Sequence, residues 1–291
     1  MKVVYWSLMH GQAGTTSNML ANALIAGIQY KKKCLLMHTH FKFNNLEAPI
    51  VGCNTKNADT GGFFLDVGLD SLIRSFKAAK LSEEDLNNCC ISIPNTNISL
   101  LPGTCKTNEA SFAYEMDMVI INLLRAMEEL VDIIFIDVCS GNHPLSRKIM
   151  EDADIIVVNL SQNIGILEAC FSKEHNQILS LDSQKRKQQK LFYLIGNYDD
   201  NSKYNISNIR RRYHKVMKYG NSGIIPYNTA FHDALCDGKA IDFIKENLGC
   251  GKVDENYYFI TEIRQASAKI CKLAGMDIGK EGRKNQDELF T

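Results

Sequence analysis

Met9-His10-Gly11-Gln12-Ala13-Gly14-Thr15-Thr16-Ser17 joins an apolar run, Val3-Val4-Tyr5-Trp6-Ser7, to a segment of helical period from Thr16 to Tyr30. Strand, small-residue loop and helix in that order aim several backbone N–H groups, and the positive end of a helix dipole, at one point. Such a point suits an anion, and glycine at 11 and 14 lets that anion come close to the backbone. Thr16 and Ser17 fall where a hydroxyl can hold a magnesium ion. The same nine residues also read as a plain strand-to-helix turn with no ligand.

Outward from this stretch the chain repeats the strand-then-helix alternation. Short apolar runs bounded by small and polar residues predict strands at Val3 to Ser7, Cys34 to His38, Ser99 to Leu101, Ile133 to Asp137, Ile155 to Asn159, Leu191 to Ile195 and Gly223 to Ile225. Between them, helices are predicted over Thr16 to Tyr30, Leu65 to Ala79, Ser82 to Cys89, Phe112 to Leu130, Pro144 to Glu151, Ile164 to Leu181, Asn205 to Lys218, Ala240 to Asn247 and Glu255 to Leu273. Most of the strands are continuously apolar, as strands covered on both faces should be. The pattern predicts a doubly wound α/β fold: a mainly parallel sheet with helices on both faces, spanning residues 1–276 as one domain. A charged tail, Asp277 to Thr291, follows. The polar, asparagine-rich stretch from Phe41 to Gly62 has no pattern and reads as a functional loop at the carboxyl edge of the sheet.

With 291 residues, 45% of them apolar, and 33 basic against 33 acidic side chains, the chain has mass for a large core and no overall pull toward nucleic acid or lipid. Only five prolines argue against a collagenous or disordered chain. Ten cysteines are scattered, with Cys89 and Cys90 adjacent and no C-x-x-C, which reads as reduced thiols and a cytoplasmic protein. No apolar run approaches the roughly 18 residues that a spanning helix needs.

Set against the P-loop pattern G-x-x-x-x-G-K-[ST], the second glycine is Gly14 and the hydroxyl is Thr16, but Met9 replaces the first glycine and Thr15 the lysine. G-x-G-x-x-G is absent, which argues against a Rossmann site. Four further segments stand in order beyond the loop. These are Ile134-Phe135-Ile136-Asp137, Ala153-Asp154-Ile155-Ile156-Val157-Val158-Asn159, Leu194-Ile195-Gly196-Asn197 and Ile224-Ile225-Pro226-Tyr227-Asn228. Through nearly its whole length the chain resembles the ParA/MinD family of deviant P-loop ATPases, including its divergent Tad-pilus branch, the TadZ type.

The resemblance implies ATP with magnesium as cofactor. It implies Gly11, Gln12, Ala13, Gly14, Thr15, Thr16 and Ser17 around the phosphates, and Thr16 with Asp137 at magnesium. It has Asn197 reading the adenine, counts Pro226, Tyr227 and Asn228 of an I-P-x-[DN] segment among the nucleotide-binding residues, and implies a face-to-face homodimer.

Departures from the family pattern bear on mechanism. The two loop lysines usual in the family are replaced here by His10 and Thr15. The second strand usually ends in D-x-D, whereas Leu36-Met37-His38-Thr39-His40 puts histidine at both places. A lysine about 4 Å from a phosphate charge is worth about 4 kcal/mol at an effective dielectric near 20, before its own desolvation. Losing two cripples phosphoryl transfer, which rests on positioned positive charge. The backbone cradle needs no lysine. Weak nucleotide binding with slow or no hydrolysis follows, in a dimeric switch or scaffold that positions DNA, a pilus apparatus or a polar complex. A slow but genuine ATPase using His10 or His40, and a fold-only interaction module with no nucleotide, are the alternatives.

Three other features carry a functional reading. His10, His38 and His40, with Cys139 and His143, could hold zinc. Lys203, Arg210, Arg211, Arg212, Lys215 and Lys218 could form a sequence-independent DNA patch on one basic helix, although consecutive arginines spread over about 200° of a helix and equally suit a solvated face. The last helix is amphipathic, but the tail beyond it lacks the apolar face of a membrane anchor.

Overall fold

Strand β1, Lys2–Ser7, is buried along its whole length. Its side chains alternate as a pleated strand requires: Val4 and Trp6 join one apolar core, Val3 and Tyr5 the other. A strand with an apolar core on each side needs helices above and below it, and the rest of the chain supplies them. The structure, a computed structural model, describes residues 1–41, 46–52, 67–172 and 190–278.

The other strands are β2, Cys34–His38; β3, Ile91–Ser92; β4, Ile98–Leu101; β5, Ile133–Asp137; β6, Ile155–Leu160; β7, Lys190–Tyr198; and β8, Ser222–Pro226. They form one sheet in the order β3-β4-β2-β5-β1-β6-β7-β8, and every neighbouring pair is parallel except β3 with β4. β1 lies between β5 and β6, where the winding direction reverses, so its carboxyl end opens onto the crevice in which such sheets take ligands.

Helices α1, Thr15–Leu24; α2, Ala48–Val51; α9, Thr229–Cys236; α10, Ala240–Asn247; and α11, Tyr257–Leu273, bury side chains in the core that holds Val3 and Tyr5. Helices α3, Leu69–Ala78; α4, Glu83–Cys89; α5, Glu109–Glu128; α6, Pro144–Asp152; α7, Ile164–Phe171; and α8, Ile206–Arg212, cover the opposite face. The doubly wound α/β architecture expected from the alternation is therefore the observed one. Among the described residues no helix is long and apolar enough to cross a membrane.

Local departures have physical causes. The helix expected over Asn205 to Lys218 begins after Asn205, whose Oδ1 caps it by accepting from the Asn208 N–H at 3.0 Å, and it stops at Arg212. Tyr213 leaves helical geometry and stacks on Phe171 at 4.5 Å, and the chain then turns to bury Met217. The helix expected from Thr16 to Tyr30 ends in a wide π turn, Ile25–Gln29. The helix expected from Leu65 begins, among described residues, at Leu69; the helix expected over Ile164 to Leu181 runs to Phe171, where Ser172 turns extended, and its expected part beyond Ser172 lies outside the described residues. Three short elements carried no prediction: β3, α2 inside the supposedly patternless loop, and α9.

Candidate functional site

The loop after β1 turns twice through left-handed backbone, at Gly11 (φ 72°) and Gly14 (φ 61°), and α1 starts at the next residue. Glycine takes such geometry at the least cost. Among the described residues, none of the backbone N–H groups from Gly11 to Ser17 finds a protein acceptor. Seven donors leading into a ten-residue helix, with no partner among the described residues, suit an anion.

The cradle opens into a cleft of about 450 Å³. His10, Gly11, Gly14, Thr15, Thr16 and Ser17 form its floor, Asp137 and His40 one side, and Asn197 another. No lysine or arginine is among the described residues that line it. Strand β7 is irregular between Ile195 and Tyr198, and Asn197 takes a left-handed backbone (φ 47°) that asparagine tolerates. A side chain placed on Gly14 would meet the Asn197 amide at 3.4 Å, so Asn197 sits directly over the loop.

Thr16 and Asp137 come together. Thr16 Oγ1 donates to Asp137 Oδ2 at 2.6 Å, and the His40 imidazole faces the other oxygen, with Nε2 3.6 Å from Oδ1. His40 Nδ1 lies 3.5 Å from Cys139 Sγ. Burial pulls the His40 imidazolium down, but Asp137 and Cys139 outweigh it and hold its pKa at about 10. His40 therefore brings positive charge to a cleft whose described walls hold no lysine or arginine.

His38 turns away from the cleft and is buried against Glu47, Nε2 to Oε1 2.9 Å, and the Gly103 N–H donates to the same oxygen at 3.0 Å. Burial pushes the Glu47 carboxyl up, but His38 and the Gly103 amide bring it below the ordinary carboxylate range. Within the described residues no group of three or more histidine, cysteine and acidic side chains is placed to hold a metal ion. The zinc reading of His10, His38, His40, Cys139 and His143 is therefore not supported, because His38 is committed to Glu47.

Pro226, Tyr227 and Asn228 do not line this cleft. Asn228 is spent as a helix cap, its Oδ1 accepting from the Phe231 N–H at 2.7 Å. Tyr227 is exposed and stacks on His232 at 4.9 Å, and His232 reaches the cleft. With Leu235 and Cys236 it forms a wall from α9 that the sequence reading missed. The signal was present: Asn228 is a capping residue, and Phe231, Ala234 and Leu235 have helical spacing. Pro49 from α2 completes the wall, and α2 meets α9 and α10 so closely that a side chain on Gly238 would stand 2.2 Å from Gly52 Cα.

The basic cluster is not one surface. Arg210 folds inward, with Nε donating to Ser222 Oγ at 2.8 Å and Nη2 to Ser222 O at 3.2 Å. Arg212 pairs with Glu168. Lys203, Arg211, Lys215 and Lys218 remain exposed.

No protein-family model matches the sequence, and no curated protein matches it. Solved structures do match in fold over almost the whole chain. A ParA family ATPase from Chlorobium tepidum superposes with a TM-score of 0.65 at 13% identity, covering 90% of this chain and 96% of that one. The septum site-determining protein MinD from Pyrococcus horikoshii, complexed with Mg-ADP, gives 0.63 at 15% identity, with 94% and 98% covered. A Cyanothece McdA variant in complex with ATP gives 0.65 at 14% identity, with 95% and 96% covered. The chain has the α/β P-loop fold of ParA and MinD proteins.

Proposed function

We propose that this protein is a nucleotide-responsive switch or scaffold, in which a lysine-free P-loop binds ATP weakly, with slow or no hydrolysis, and two copies close face to face over the ligand. The observation that carries this reading is the row of partnerless N–H groups from Gly11 to Ser17, open to a cleft with no lysine or arginine on its described walls. That two of the structures matching this fold hold ATP or Mg-ADP supports the same ligand class here.

Magnesium fits the donors present. A hydroxyl and a carboxylate, both hard oxygen ligands, converge 2.6 Å apart beside the cradle. Thr16 and Asp137 would hold the ion, which supplies charge neutralisation to the phosphates when bound. Asn197 stands over Gly14, in place for the nucleoside. Tyr227 and His232 offer a stacked pair farther along the rim; Pro226 and Asn228 act through the start of α9. His10, exposed at the loop tip, and His40, beside Asp137, are the side chains available to assist a reaction. His40 adds positive charge and no carboxylate where the related pattern has its second aspartate, which favours holding an anion over activating water.

Binding and turnover decide between this reading and its neighbours. Calorimetric titration with Mg-ATP is expected to show saturable, weak binding that Gly14→Val abolishes, with ATP-dependent dimerisation in light scattering and no turnover above background. Turnover that His10→Ala or His40→Ala removes would establish a slow ATPase instead. Absence of binding would leave an interaction module built on the fold. We further propose a cytoplasmic location and, as one partner, DNA held without sequence preference through Lys203, Arg211, Lys215 and Lys218. A pilus apparatus or a polar complex is the alternative cargo.

A further inference from the structure

The loop has two alternatives when no ligand fills it: its N–H groups converge on an empty point, or a peptide flips and a carbonyl takes their place. A lysine reaching into the loop opposes the second by charge, and among the described residues none lines it. The Ala13 peptide is one at risk, because it lies between the two left-handed glycines.

Asn18, 2% exposed, holds that carbonyl: its Nδ2 donates to Ala13 O at 2.8 Å and to Asn159 Oδ1 at 3.0 Å. Asn159, 1% exposed, donates through its own Nδ2 to Trp6 O at 3.3 Å and Val157 O at 3.2 Å. The direction of this relay is forced. Two backbone carbonyls can only accept, so the Asn159 amino group must face them. Its oxygen then faces Asn18, whose amino group must turn toward it, and the second hydrogen of that group is left for Ala13 O. Three acceptors in the sheet and the loop thus fix two side-chain amides, and the chain of bonds ends on a peptide of the loop itself. Gly196 completes the fit. A Cβ there would stand 2.2 Å from Ala13 O and 2.3 Å from Asn18 Nδ2, so only glycine lets β7 press against the clamped peptide.

We infer that Asn18 is a positioning residue of the P-loop: anchored through Asn159 to β1 and β6, it holds the Ala13 carbonyl out of the cradle and keeps the loop ready for an anion without a lysine. The inference rests on reading the loop as an anion cradle. Its consequence is a preformed site, in which weak charge is offset by a high fraction of binding-competent molecules. If that fraction falls to about one in ten, apparent affinity falls about tenfold.

The test uses the full chain, inorganic triphosphate as probe, and two neutral variants. Asn18→Leu keeps the side-chain size and removes both donors. Met19→Ala, on the next residue, opens a cavity in the apolar core and touches neither the loop nor the relay. Calorimetry is expected to show triphosphate binding at least tenfold weaker in Asn18→Leu and within twofold of the parent in Met19→Ala, at comparable losses of Tm. Without ligand, the heteronuclear ¹⁵N NOE of Gly11 to Ser17 is expected to drop in Asn18→Leu alone. Equal affinity losses in the two variants, or parental affinity and loop order in Asn18→Leu, would overturn the inference. If the parent chain does not bind triphosphate, the anion reading fails, and the NOE comparison by itself still decides whether Asn18 orders the loop.

Discussion

Asp137 is shared: Thr16 Oγ1 donates to one of its oxygens at 2.6 Å, and the His40 imidazole faces the other at 3.6 Å, deep at the carboxyl end of β5. The pair joins the end of β5 to the residues just after β2, neighbours in the sheet. It makes stability depend on pH with a definite sign. The pKa of His40 in the fold, about 10, lies above the ordinary imidazole value of about 6.5, so its contribution is complete below about pH 6.5 and fades as pH rises through 10.

His40→Gln should therefore lower unfolding stability by something on the order of 2 kcal/mol near pH 6, with the difference from the parent closing toward pH 10. Urea unfolding at a series of pH values measures it. A difference that stays constant across that range would show that the imidazole is not charged in the fold.

Thr15→Lys restores a cation at the P-loop position. Expected is nucleotide binding at least about tenfold tighter, because the new charge enters a cradle already made of N–H donors. Titration of the variant with ATP reads this directly. Unchanged affinity would mean that the loop does not face phosphate.

Gly196→Ala places a methyl group inside contact distance of the Ala13 carbonyl, so either the loop or β7 must move. A stability loss of about 1–3 kcal/mol follows from such overpacking, together with weaker nucleotide binding. Differential scanning calorimetry and titration of one sample give both numbers.

Arg210 and its basic neighbours should separate cleanly. Arg210→Ala removes a guanidinium held by Ser222 and lying 5.1 Å from the centre of the Tyr219 ring, and is expected to lower Tm. Lys215→Ala with Lys218→Ala should leave Tm within a degree or two. If DNA binds here, the double variant reduces the slope of log affinity against log salt by about two.

Much of the fold could be read from sequence because buried parallel strands announce themselves as unbroken apolar runs, as β1 and β6 do. The turns at Gly11 and Gly14 were equally legible, since left-handed backbone singles out glycine. The missed pieces share one trait: their identity depends on partners distant in the chain. Helix α9 is eight residues long, so its cap at Asn228 and the spacing of Phe231, Ala234 and Leu235 give only a brief signal, and packing against α2 completes it. The inward fold of Arg210 depends on Ser222, and nothing in a run of three arginines marks which one will turn. Asn18 looked like an ordinary helix residue, and its role exists only because Asn159 comes within 3.0 Å from another strand.

Glu47 fastens the segment that carries Pro49 to the floor of the molecule, bonded at once to His38 from β2 and to the amide of Gly103 just after β4. One rim of the cleft is thus latched by the buried His38 and the half-buried Glu47, neither of which lines the cleft itself. A guest bulky enough to push Pro49 aside must first unfasten that latch, and its affinity falls by the energy needed to do so. A slimmer guest would enter with the latch shut, so the fastening at Glu47 would set a limit on the girth of any occupant.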